Sequence, residues 1–193
     1  MEFASILSNI QKHISILEVE KNHVCSLITP RKLSKGELVL EQGRICNTIN
    51  FVESGTLRAF HINKDGKEST IMFAIMDWWI TDMYCFLNQR PALLNIEALE
   101  DSMVLQLKFA QLESLYRDIP KFERFFRILM QNAYIREQLR VLNNISLTTE
   151  ERYLEFIQKY PQIVQKVSQK QIASYLGVTP EFLSMVKRKK SAS

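Results

Sequence analysis

The chain has 193 residues, 46% of them hydrophobic and 24% charged, with a formal net charge of +4, which is enough apolar material for one sensor-sized domain and a small second one. No run of about 18 uncharged apolar residues occurs, and residues 1–17 lack a charged start, an apolar core and a small-residue cleavage site; the expectation is a cytoplasmic protein with no membrane partner. Cys25, Cys46 and Cys85 are as dispersed as His13, His23 and His61, with no Cys-x-x-Cys pair, so no metal, iron–sulfur centre or other cofactor is expected, and no enzyme site of convergent His and carboxylate groups.

From the start of the chain, Phe3, Ile6, Leu7, Ile10, Ile14 and Leu17 recur at helical spacing and predict one helix that serves as a lid or buttress. Four glycines, Gly36, Gly43, Gly55 and Gly66, then separate short apolar runs, which marks them as turns between strands. Strands are expected at 38–40, 49–52, 57–62, 69–75, 96–98 and 103–107, with Asp65-Gly66 as a two-residue hairpin. Many short strands at this spacing mean a compact β-roll or barrel.

After Phe109 the period changes. Phe125, Ile128, Asn132, Ile135, Leu139 and Leu142 follow one another at spacings of three and four, a coiled-coil seam in which Asn132 is the polar position that fixes register. A second stripe, Phe122, Phe126, Leu129 and Ala133, faces the roll, so the helix can pack on its own chain and pair with a second copy; a helix packed wholly inside one chain is the alternative. The helix ends near Ser146. Thr148 with Glu151 forms a capping box that opens an amphipathic helix through Tyr153, Leu154, Phe156 and Ile157, up to Tyr160-Pro161.

Residues 168–190 read as a helix-turn-helix. Ser168 with Gln171 caps the first helix, Ile172, Tyr175 and Leu176 give it an apolar face, and Ala173 is small where two helices must approach. Gly177 ends it, and Thr179-Pro180-Glu181 restarts the chain with an N-cap, a proline and an acid. With Leu183 and Val186 buried, Pro180, Glu181, Ser184, Met185, Lys187, Arg188 and Lys189 are left to face a major groove, beside Ser168, Gln169 and Lys170 from the first helix. Residues 159–193 hold seven basic residues and one acid, a net of +6, while residues 1–158 sum to −2. A cation-rich module on a near-neutral body is the footprint of phosphate binding, which points to double-stranded DNA as partner. The other reading is a ligand-binding or interaction module without sequence-specific DNA binding.

Three motifs, Lys35-Gly36-Glu37-Leu38-Val39-Leu40-Glu41-Gln42-Gly43, Phe51-Val52-Glu53-Ser54-Gly55-Thr56-Leu57-Arg58 and Asp65-Gly66-Lys67-Glu68, stand in that order before the long helix and the helix-turn-helix. In this the chain resembles the Crp/Fnr family of transcription regulators over nearly its whole length. The resemblance implies an α+β fold: an N-terminal β-roll of the cyclic-nucleotide-binding kind (a double-stranded β-helix) over 1–115, a long dimerisation helix over 116–147, and a winged-helix-type helix-turn-helix over 148–193. It implies a homodimer on an inverted-repeat operator, RNA polymerase as a further partner, and a small-molecule effector of unknown identity.

Two departures qualify the resemblance. The family's nucleotide cassette runs Gly-Glu and then, ten residues after that Glu, an Arg followed by Ser or Thr; laid without a gap it falls on Thr81, Asp82, Ala92 and Leu93. A buried cyclic phosphate needs a cation and a hydroxyl or backbone donor, which Ala92 and Leu93 side chains do not supply, while Asp82 adds a negative charge. The expected effector pocket, Asp82, Met83, Arg90, Ala92 and Leu93, therefore takes a ligand other than cyclic AMP, unless Arg90, two residues away, replaces the missing cation. In the second helix the family's Glu-x-x-Ser-Arg becomes Glu181, Ser184 and Met185, which removes the guanine-reading arginine and passes its role to Lys187 or Arg188, or to a Met185 contact with a thymine methyl.

Overall fold

A computed structural model describes residues 3–191, except for the side chains at 187 and 189–191. The chain opens with α1 (Ala4–Gln11) and α2 (Glu18–Leu27), so the single helix expected through Leu17 is in fact two. Between them residues 12–17 turn and extend, which lets Ile14 and Ile16 enter the core while Leu17, 66% exposed, caps α2. Its amide donates to Glu20 Oε2 at 2.6 Å, and Lys121 pairs with the same carboxylate at 2.6 Å.

The roll consists of two four-stranded antiparallel sheets. One runs in the order β1 (Thr29–Leu33), β8 (Ser102–Lys108), β3 (Thr48–Ser54), β6 (Trp79–Ile80); the other in the order β2 (Leu38–Leu40), β7 (Asn95–Ala98), β4 (Thr56–Ile62), β5 (Glu68–Ile75). Every expected strand is present to within a residue or two. β1 was not expected: with Pro30, Arg31 and Lys32 it lacks an apolar run, and it survives as an edge strand paired with β8 alone. Asp65-Gly66 lies in a five-residue connection instead of a two-residue hairpin; the Asn63 side-chain oxygen accepts from the amides of Asp65 (3.0 Å) and Lys67 (2.8 Å). Gly55 joins β3 to β4 at φ +91, and a Cβ there would come within 2.8 Å of the Ser102 backbone, so no other residue fits.

α3 (Met83–Asn88) and α4 (Phe109–Asp118) close the roll, and α5 (Lys121–Ser146) runs 26 residues away from it. Phe122 and Phe126 pack on the roll as the second stripe predicts, with Leu129 partly buried behind them. Phe125 corrects the seam: it is fully buried in its own chain against Trp79, Phe122 and Phe126, so it is not available to a partner. Ile128 is half-buried. From Asn132 the seam is exposed, and Ile135, Leu139 and Leu142 lie open beside Tyr134, Val141 and Ile145.

The rest is helical: α6 (Thr149–Lys159), α7 (Pro161–Val164), α8 (Gln169–Leu176) and α9 (Pro180–Ser191). They share a second core with Phe73 of β5. Among the described residues no strand follows β8, so the expected winged form has no wing there; the strand that lies against α8 is the roll's own β5.

An open apolar row of this length on a 26-residue helix predicts self-association through the second half of α5. Ile135→Asp combined with Leu139→Asp places four charges in a two-chain seam and removes roughly 1.5–3 kcal/mol per buried side chain, a weakening of about a thousand-fold or more. Sedimentation should give dimers for the wild type and monomers for the double variant; a dimeric double variant would show that this row is not the seam.

Candidate nucleic-acid interface and effector cassette

The helix-turn-helix is built from two caps and a turn. Ser168 Oγ accepts from the Gln171 amide at 3.2 Å, and Gln171 Oε1 accepts from the Ser168 amide at 2.8 Å, which satisfies two of the free donors at the start of α8. Gly177 at φ 72 turns the chain, and Thr179 Oγ1 accepts from the Phe182 amide at 3.2 Å to begin α9. Ile172, Ala173, Leu176, Leu183 and Val186 are buried between the two helices. That leaves Glu181, Phe182, Ser184, Met185 and Arg188 exposed on α9, with Ser168, Gln169, Lys170 and Thr179 exposed at the start of each helix and Pro180 half-buried. The Ser184 hydroxyl donates to Pro180 O at 2.9 Å, so its lone pairs remain free for an outside donor. The side chains of Lys187 and Lys189 lie outside the described residues. Phe182, 42% exposed, was missed in the sequence; its offset of three from Met185 on the face opposite Leu183 and Val186 was the available signal.

This module is docked on the roll. β5 is an edge strand, and its free edge is met by side chains: Thr70 N donates to Ser174 Oγ (2.9 Å), Ser174 Oγ donates to Glu68 O (3.0 Å), and Arg140 Nη1 donates to Ile71 O (2.9 Å). Around these bonds Phe73 packs on Tyr175 (5.6 Å between ring centroids), Phe156 on Tyr175 (5.1 Å) and Trp78 on Tyr160 (5.9 Å). At the rim Lys166 pairs with Glu100 at 2.6 Å, and that ammonium, followed by the Thr56 hydroxyl, holds the Glu100 carboxyl below the usual carboxylate range. None of these polar contacts was legible in the sequence, because each joins positions more than 60 residues apart or depends on a strand edge.

The cassette residues are brought together, but not as a free anion site. Asp82 is 4% exposed, and its carboxylate accepts from the amides of Leu93 (2.7 Å), Leu94 (3.1 Å) and Cys85 (3.3 Å). The charge expected to repel a phosphate is itself the anion that these donors hold. Ala92 is buried, with its amide on Arg44 O (2.7 Å) and its carbonyl accepting from Gly43 N (2.8 Å). Arg90 and Leu93 are exposed, and Met83 is half-buried. The buried guanidinium of the roll, Arg58, is neutralised by Glu97 (2.6 Å) and Glu68 (2.8 Å) and stacks on Phe60 at 4.1 Å, so it does not take the missing arginine's place. Burial pushes the thiols of Cys46 and Cys85 up, which makes both poor nucleophiles.

Residues 30–118 match the family described as Cyclic nucleotide-binding domain, which defines the class of the roll. Over more of the chain it is 25% identical to the Anaerobic regulatory protein of Pasteurella multocida, across 86% of this chain and 65% of that protein. Solved structures share the fold: FixK2 from Bradyrhizobium japonicum (TM-score 0.75, 18% identity, 86% of this chain and 85% of that one) and the regulator CLP of Xanthomonas campestris, titled c-di-GMP responsive (0.73, 15%, 90% and 91%). With a roll of this class, a long helix and a helix-turn-helix in one chain, the protein belongs to the Crp/Fnr family of transcription regulators. No helix among the described residues is long and apolar enough to cross a membrane.

Asp82→Ala strips an acceptor from three buried amides, each costing roughly 1–3 kcal/mol when left unpaired, so unfolding in urea should show a loss of about 2–4 kcal/mol. Asp82→Asn keeps a carbonyl oxygen for those donors and should lose less. Wild-type stability in Asp82→Ala would mean that the carboxylate does not organise the cassette.

Proposed function

We propose that the chain is a homodimeric, sequence-specific DNA-binding regulator, with residues 1–115 as sensor, 116–147 as dimerisation helix and 148–193 as DNA reader. The observation that carries this reading is α9, an amphipathic helix whose buried Leu183 and Val186 fix it on α8 while Glu181, Phe182, Ser184, Met185 and Arg188 stand clear of the body. A twofold dimer through α5 sets two such helices about one turn of DNA apart, roughly 34 Å, and so selects an inverted repeat. Glu181 suits a cytosine amine, while Phe182 and Met185 suit thymine methyls. RNA polymerase is the proposed protein partner. The functional output is regulatory, with no catalytic role assigned to any residue.

The sensor reading is that cyclic AMP is not the effector. A phosphate entering the cassette meets no cation at Ala92, and the amides of Leu93 and Leu94 are already engaged by Asp82. Losing a charge-assisted bidentate contact costs about 1.5–3 kcal/mol, and displacing a buried carboxylate from its donors adds to that.

Two measurements test the two halves of the proposal. Fragments of genomic DNA selected by the purified protein should contain an inverted repeat; Glu181→Ala should change base preference inside each half-site, and Arg188→Ala should lower affinity for all sequences about equally and flatten the salt dependence. Uniform weakening by Glu181→Ala would remove it from the base readers. Calorimetry with millimolar cyclic AMP should give no saturable heat, and micromolar binding would overturn the sensor reading.

A further inference from the structure

A cavity of about 260 Å³ lies between the roll, α1 and α5, away from the Asp82 cradle. Its walls are Trp78 and Trp79 with Met72, Met83, Met130 and Ala133, side chains that offer aromatic faces and adaptable thioethers. The Trp79 indole N–H is already spent on Asn9 Oδ1 at 3.0 Å, so that ring presents carbon to the cavity. Two charged groups also line it. Asp77 is compensated, by Lys12 at 2.5 Å and by the Asn9 amide at 2.9 Å. Arg136 is half-buried, its guanidinium 5.4 Å from the centre of the Trp78 ring, and it has no carboxylate partner among the described residues. The cavity is therefore apolar with one uncompensated cation, which sets the charge and the polarity of its ligand.

We propose that this cavity binds a small monocarboxylate with an aromatic or short aliphatic body, the acid at Arg136 and the body between the tryptophans and methionines. The proposal rests on the sensor reading above and names the class of effector it leaves open. Size agrees with it: the volume sits just below the usual range of small-molecule pockets, roughly 300–1,000 Å³, so a one-ring acid fits and a nucleotide does not. A charge-assisted contact to the guanidinium fixes orientation, and the apolar walls supply area. The opposite edge of Trp78 packs on Tyr160, at 5.9 Å, so an occupant touches a side chain that also touches the helical module carrying α8 and α9.

The test is unusually direct, because the chain has two tryptophans and both line the cavity. The full-length protein is titrated with 4-phenylbutyrate and, separately, with the neutral 4-phenylbutanol, while tryptophan emission is followed. A saturable change with the acid, at a concentration about ten-fold lower than with the alcohol, is expected, since a tenfold ratio corresponds to about 1.4 kcal/mol. Arg136→Gln should weaken the acid about ten-fold and leave the alcohol unchanged, and Ala133→Leu, which fills the cavity, should weaken both. Equal affinity for acid and alcohol, no effect of Arg136→Gln on the acid, or no saturable change at millimolar acid would each overturn the proposal. DNA binding and thermal unfolding are measured on the same samples: loss of the ligand with DNA binding intact condemns the cavity alone, whereas a wild type that selects no DNA condemns the regulator reading itself.

Discussion

The packing of Trp79 on the phenylalanines of α5 determines where the rest of the molecule can be. Trp79 lies 5.3 Å from Phe51 of β3, 6.0 Å from Phe125 and 5.7 Å from Phe126, and Phe125 touches both Phe122 and Phe126. Each such pair contributes about 0.5–1.5 kcal/mol beyond the area it buries, and the rings interlock from three elements, so the first two turns of α5 cannot slide on the roll. Because the knot consumes Phe125, the helix leaves the roll with its apolar row turned outward only from about Ile135. It also holds the ceiling of the Trp78–Trp79 cavity, and it sets the point from which α6 returns to lay α8 along β5.

Local chemistry was legible in the sequence; contacts between distant segments were not. Glycine turns, capping pairs and the Leu183–Val186 spine each follow from a few adjacent residues, and Ser168–Gln171 and Thr148–Glu151 form as their spacing requires. β1 and β6 escaped because their pairing partners, not their own composition, make them strands. The helix at the start was drawn too long, since Ile14 and Ile16 keep helical spacing to Ile10 while serving the core from an irregular segment. Phe125 fitted the heptad pattern as well as the positions that follow it, and only the presence of Trp79 decides that it points inward.

Asp82 shows most clearly how a correct alignment can still mislead. As a letter in a cassette it is an extra negative charge near a missing arginine. In the fold it is an acceptor already surrounded by amides, and those amides would be orphaned without it. A roll with an internal carboxylate at this place is folded and satisfied before any ligand arrives, which moves the search for an effector from the cassette to the side of the roll that faces α5.

One further property follows from the exposed edge of β5. That strand pairs with β4 on one side only, and on the other its amide and carbonyl groups at positions 68, 70 and 71 end on Ser174 and Arg140. The DNA reader is thus also a cover. Whenever it swings away, or is lost by cleavage near residue 148, the strand presents a bare row of donors and acceptors flanked by Phe73, the arrangement that recruits a second strand from another molecule. Solubility of the sensor and placement of the recognition helix are in this way tied to the same few hydrogen bonds, so selection for a chain that does not aggregate also holds the reader in place.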